Sequence, residues 1–146
     1  MADERLVQMI RRSVIEFNAW RDNVEEKDGA PMIDLQEADL KDCHLDGINL
    51  YRALLDGADL RGSRLRTANL EEASLGHAEL VHADLCGAHM TGACVSHADF
   101  TNANLTGVIF RGVEGIETAC FCDATVEPKA QRVILAIIAE SMHDAQ

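Results

Sequence analysis

The groups able to do chemistry in this 146-residue chain are 25 carboxylates, five cysteines and six histidines, set against 13 Lys and Arg. His77 and His97 lie twenty residues apart with His82 between them, and two imidazoles held side by side could share a divalent metal. A metal site normally wants three or four ligands, however, and Cys94, though near in sequence, occupies a different place in the repeat that contains them. Cys120-Phe121-Cys122 has a spacing too short for the usual zinc-ligating pair, and no second pair follows. It reads as worn repeat sequence. No glycine-rich phosphate loop occurs, no nucleophile–base–acid set converges, and no basic-aromatic surface for single-stranded nucleic acid is present. Neither catalysis, a cofactor nor a metal site is expected.

The elements that carry these groups follow a beat of five. Every fifth residue from Leu35 to Phe110 is apolar: twelve Leu, two Phe, Met90 and Val95. Two residues before each comes a smaller series of eleven Ala with Ile33, Cys43, Ile48, Ser63 and Val108. Such a repeat fixes architecture before propensities are consulted. An α-helix would spread a five-residue series around all its faces, and a flat strand, with period two, would throw successive members to opposite sides. One core can bury the series only if the chain turns a corner in every pentad and winds into a coil. Gly at seven of the sixteen positions two after the central residue suits a bend that needs φ > 0. Asp or Asn just before the central residue, as in Ala38-Asp39-Leu40 and Ala103-Asn104-Leu105, suits a side chain that bonds nearby turn amides.

These residues resemble the pentapeptide-repeat family, with its A(D/N)LXX motif, strongly over residues 33–112 and fading through about residue 125. The resemblance implies an all-β solenoid, a right-handed quadrilateral β-helix of about four coils with twenty residues in each. Coils stacked at inter-strand spacing would rise about 4.8 Å each. The expected organisation is an N-terminal helical cap and lead-in over 1–32, the β-helix over 33–125 (degenerate after about 112), and a C-terminal helix over 126–146.

Twenty residues per coil turn the sequence into surface columns. One reads Asp39, Asp59, Glu79, Asp99, and stacked like charges repel by roughly 1 kcal/mol per pair even in water. The column is a candidate partner-binding feature, a DNA-like line of charge. The plainer alternative is that Asp is the preferred turn residue, satisfied by backbone amides with Lys41 and Arg61 beside it. Another column, Glu37, Gly57, His77, His97, places the two histidines together on an exposed face. Cys43 should point inward, and Cys86 and Cys94 outward.

Both flanks read as helices. Leu6, Ile10, Val14, Phe17 and Val24, with Trp20 beside them, give a stripe over about residues 3–26 that ends at a break, Asp28-Gly29-Ala30-Pro31. Phe17-Asn18-Ala19-Trp20-Arg21 resembles the lead-in of many pentapeptide-repeat proteins. After Pro128, suited to a first helical turn, the stripe Ala130, Val133, Ile134, Ile137, Ile138 and Met142 suits a cap on an open solenoid end. Its width also suits a homodimer contact through Val133, Ile134, Ile137 and Ile138, because family members often pair through that end.

Net charge is −12, spread evenly: residues 1–37, 38–112 and 113–146 each carry an excess of four acids. Direct binding to a nucleic acid backbone is disfavoured. No secretory signal is expected, the longest apolar run (133–139) is too short to span a bilayer, and the odd cysteine count fits a reducing cytoplasm. The expected function is a non-catalytic, rigid scaffold for an unidentified protein partner. The alternative, implied by resemblance to the quinolone-resistance branch, is an acidic DNA mimic that binds and protects DNA gyrase or another topoisomerase.

Overall fold

The computed structural model describes residues 2–25 and 32–144. The Asp28–Pro31 break lies outside the described residues, as does the side chain of Met142. Two helices, α1 (Glu4–Arg12) and α2 (Val14–Glu25), precede a long succession of pentads. A single 3-10 turn (Ile116–Thr118) and a third helix, α3 (Pro128–Asp144), follow.

Each pentad contributes one parallel bridge, and from Asp34 to Glu114 every bridge joins residues twenty apart, as in Asp39↔Asp59↔Glu79↔Asp99. Four pentads therefore return the chain to the same side. Fifteen of the sixteen central residues, Leu35 to Leu105, are fully buried, and the last, Phe110, is half-buried. The inner Ala series is buried beside them. Two large side chains per pentad would not fit so narrow an interior, which is why the second series is small. Ser63, the one inner hydroxyl, is buried and donates to the Leu60 carbonyl at 2.7 Å.

The corner has one recurring geometry. The carbonyl of each central residue from Leu35 to Leu105 accepts from the N–H three residues on, as Leu35 does from Ala38 at 3.1 Å. The residue two after the centre has positive φ at all sixteen corners from Glu37 to Gly112. This is the second inner residue of a type II turn, where Gly or Asn is normally required. Seven corners are Gly, as expected, but the other nine place Glu, Asp, Arg, Thr, His or Asn there, at φ between 54° and 60°. At eight corners a carboxylate or amide just before the centre completes the turn. Asp34, Asp39, Asn49, Asp59, Asn69, Asp84, Asp99 and Asn104 each accept from the N–H two residues on, at 2.9–3.2 Å. The D/N of the motif is thus a turn-forming residue at eight corners.

The repeat does not wear out where the leucines stop; it slips phase. Beyond Glu114 the bridges span 21 residues, Asp99↔Cys120 and Asn104↔Thr125. The extra residue is Gly115, at φ +78° and pressed so close to the backbone of Ser96 that a Cβ would lie 2.6 Å from the Ser96 nitrogen. Ile116 then takes the buried central place. The next pentad, Ala119 to Asp123, regains the full pattern, with Phe121 stacked on Phe100 at 5.1 Å and Asp123 at φ 54°.

The N-terminal stripe was expected to form one helix, but the chain breaks at Ser13. There the backbone is extended, and the Ser13 hydroxyl accepts from the Glu16 N–H at 3.2 Å, opening α2. Ser13-Val14-Ile15-Glu16 has the spacing of a capping box. Leu6, Val7, Ile10 and Phe17 bury themselves in the same core as the first coil, while Ile15 stays 82% exposed.

The first coil has carbonyls that no earlier coil can meet, and the two helices supply donors to them. The Asp3 N–H reaches the Asp34 carbonyl at 2.8 Å. Arg11 reaches that of Asp39 through Nε and Nη2, at 3.1 and 2.7 Å. Asn18 serves two ends: its amide donates to the Gly47 carbonyl, and its oxygen accepts from the Asn49 N–H, both at 2.9 Å. Arg21, almost wholly buried, donates to the Tyr51 carbonyl. Buried backbone groups need such partners, because an unmet one costs about as much as a lost hydrogen bond.

At the other end α3 packs against the 3-10 turn. Ile134 is buried in the core, and Ile137 and Ile138 are half-buried against it, whereas Val133 and Leu135 are 45% and 57% exposed. Of the four apolar residues considered for a dimer contact, three therefore face this chain's own coil.

Candidate partner-binding faces

The four acids of the column are stacked as bridged neighbours on one face. Two arginines pair with three of the four carboxylates, answering about half of their charge within the chain. Arg11 Nη2 lies 2.9 Å from Asp39 Oδ2. Arg61 lies 2.5 Å from Asp59 and 3.0 Å from Glu79, so one guanidinium bridges two successive rungs. Asp99 accepts from the Thr101 hydroxyl at 2.6 Å. The hydrogen bond from Arg61 holds the Asp59 carboxyl below its ordinary pKa, and the same pair pushes the Arg61 guanidinium further up. A bare line of negative charge is not what this face presents.

Neighbouring faces carry similar ties between rungs. Arg52 pairs with Glu72 at 2.6 Å, Arg64 with Asp46 at 2.5 Å, and Asn104 donates to Asp84 at 3.0 Å. The two ion pairs are exposed, each worth about 0.2–1 kcal/mol. Their effect is to fix the lateral order of the surface rather than to hold the fold.

His77 and His97 stack with ring centroids 4.9 Å apart and planes inclined by 21°. Both, with His82, occupy the positive-φ corner, a place where His is several-fold enriched among residues other than Gly. Turn geometry accounts for their being there. Among the described residues no group of three His, Cys, Asp or Glu side chains is placed to hold a metal ion.

Cys43, placed inward by the pattern, is only half-buried. An open groove between the α1–α2 junction and the first coil reaches it, lined by Arg12, Ile15, Lys41, His44 and Asp46. Burial is the main cause raising the Cys43 thiol's pKa, which makes it a poor nucleophile at neutral pH. Cys86 and Cys94, one after and one before a central residue, stand on outer faces as expected and are half-buried there.

Arg11, Asn18 and Arg21 are the functional contacts that sequence reasoning missed. Each donates to a main-chain carbonyl, which no side-chain pattern marks. Asn18 and Arg21 stand in the Phe17–Arg21 lead-in, the one sequence signal that contained them.

The family model for pentapeptide repeats matches residues 33–71 and 68–107 in eight copies. Among solved structures, this chain is 29% identical to HetL, a pentapeptide repeat protein involved in heterocyst differentiation regulation in the cyanobacterium Nostoc. That match covers 64% of this chain and 53% of HetL, with a TM-score of 0.38, so the chain spans about half of HetL's length. It is 33% identical to a pentapeptide repeat protein of the Arabidopsis thaliana thylakoid lumen, over 66% of this chain and 73% of that one, with a TM-score of 0.40. With QnrB1, a plasmid-mediated fluoroquinolone resistance protein, identity is 18% over 73% of this chain and 66% of that one, with a TM-score of 0.31. No curated protein matches. Among the described residues no helix is long and apolar enough to cross a membrane.

Proposed function

Because this chain belongs to the pentapeptide repeat family, a family of right-handed β-helices, we propose that it is a non-catalytic scaffold binding a protein partner in the cytoplasm. The observation that carries the reading is the spacing of its outward side chains, one rung per coil on each exposed face, tied laterally by ion pairs. A rigid face loses little entropy when it docks, so even a modest contact area can yield useful affinity. In the same reading, residues 1–32 and 126–146 cap a β-helix over 33–125, and the exposed Val133 and Leu135 are what α3 offers a second copy.

The test is affinity capture from the native host with wild-type protein and with variants that reverse charge on one face at a time. A partner lost with one face only, for example in Arg52→Glu, supports the scaffold. A partner retained by every face variant, or none captured by folded protein, sinks it. Light scattering reads the oligomeric state separately.

The DNA-mimic alternative rests on the stacked Asp39, Asp59, Glu79 and Asp99. Arg11 and Arg61 neutralise much of that line, so gyrase supercoiling should be unchanged by micromolar protein. Inhibition that disappears in Asp59→Lys/Glu79→Lys would reinstate the mimic.

A further inference from the structure

Cys120 and Cys122 have their sulfurs 2.9 Å apart, closer than two unbonded thiols normally approach. The closeness follows from the pentad. Residues one before and one after a central residue flank an inward side chain, so both project to the same face. The rule repeats along the molecule: Asp59 with Arg61 at 2.5 Å, Asp99 with Thr101 at 2.6 Å, Cys94 with Ser96 at 3.4 Å. At the pentad centred on Phe121 both places happen to be cysteine.

The backbone holds them there. The Cys120 N–H donates to the Ala98 carbonyl at 2.9 Å, and its own carbonyl accepts from Phe100 at 2.8 Å. The Cys122 carbonyl accepts from Asn102, also at 2.8 Å. Phe121, stacked on Phe100 and edge-on to Phe110, anchors the centre. Cys120 is half-buried and Cys122 exposed, so small solutes reach the pair. Residues two apart in extended chain have Cα atoms about 6.6 Å apart, within the range of about 4.4–6.8 Å that disulfides tolerate. No third ligand joins the pair among the described residues, which leaves dithiol chemistry rather than metal chelation.

We propose that Cys120 and Cys122 form a dithiol–disulfide exchange site whose substrates are small-molecule disulfides. The Cys120 thiolate attacks one sulfur of RS–SR; a Cys120–S–SR bond forms, the S–S bond breaks, and RS⁻ leaves. The Cys122 thiol gives up its proton to solvent, its thiolate attacks the Cys120 sulfur, and the second RS⁻ leaves. The protons lost by the two cysteines end on the two released thiolates. The protein is oxidised by two electrons to an internal disulfide, and RS–SR is reduced to two RSH. The order of attack follows the contact between the two sulfurs: the Cys122 thiol stabilises a Cys120 thiolate, lowering its pKa, while that thiolate raises the pKa of Cys122. Nucleophile and resolving thiol are thereby distinguished.

The full chain, fully reduced, is incubated with oxidised glutathione, and the products are read by intact mass and peptide mapping. Wild type should lose two hydrogens at the Cys120–Cys122 peptide, retain no glutathione there, and recover both on adding dithiothreitol. Cys122→Ser should trap glutathione on Cys120, about tenfold faster than it accumulates on Cys86 or Cys94. Cys120→Ser should take up glutathione at Cys122 more slowly than Cys122→Ser does at Cys120. Circular dichroism checks that both variants remain folded. Wild type that keeps both thiols, or holds glutathione at either without closing the bond, overturns the proposal, as does equal reactivity of all five cysteines.

Discussion

Residues 34–114 and residues 115–125 obey the same pentad rules but differ by one residue in phase. In the first stretch every coil matches the next at twenty residues, and chemistry on the surface is spread over charge-paired rungs. In the second, Gly115 inserts an extra residue, the bridges lengthen to 21, and two cysteines come together outside a stacked phenylalanine. The pentad dictates where side chains point, not what they are. The phase slip shows that each pentad is an independent turn, tolerant of an insertion provided the inserted residue can take the left-handed conformation against its neighbour's backbone.

That comparison can be tested first at the core. Leu70→Ala, in the strict stretch, should destabilise by about 2–5 kcal/mol in a denaturant titration, because a narrow coil of stacked leucines cannot collapse around the hole. A much smaller loss would mean that the coils adjust independently there too. Next, Gly115→Ala should cost about 3 kcal/mol, through left-handed strain and a collision with Ser96. Gly112→Ala, at φ +63° with no atom within 4 Å of the added Cβ, should cost only about 1–2 kcal/mol. Equal losses would show that Gly115 is no more special than an ordinary corner.

A corner can also be improved. Thr67 is β-branched at φ 55°, so Thr67→Gly should raise stability by about 1 kcal/mol; a lower melting temperature would refute the strain. The smallest effect concerns pH. Arg61 holds the folded Asp59 pKa below the ordinary aspartate value, so this contribution is present above that ordinary value and fades as pH falls through the folded pKa. The stability advantage of wild type over Arg61→Gln should shrink below about pH 4 and weaken with salt. An advantage independent of pH would assign Arg61 a packing role instead.

Much of this was legible in the residues. The leucine series from Leu35, the alanines beneath it and the seven corner glycines all mark positions where only one side-chain size or backbone conformation fits. The Asp and Asn ladder was legible as turn chemistry too, and Arg61, a sequence neighbour of Asp59, is the residue that pairs two of the acids. What escaped had a different cause in each case. The slip at Gly115 destroys the count of five although the pentads survive it. The break at Ser13 was spelled by its capping box, but the apolar stripe running through it suggested continuity. Cys120 and Cys122 have the wrong spacing for a metal pair, and what joins them is that side chains two apart share a face. Arg11, Asn18 and Arg21 answer main-chain atoms, which leave no trace in a side-chain pattern.

Those three residues point to an electrical polarity in the column. In each strict pentad two N–H groups send bonds toward the following coil, as Leu35 and Glu37 do, and one sends a bond backward, as Leu54 does. The surplus adds pentad after pentad, leaving an excess of carbonyls at the end where the coil begins and of N–H groups where it finishes. The sense is opposite to that of an α-helix, whose N-terminus is the positive pole. The opening end therefore selects positive charge, and two of the side chains seated on it are arginines.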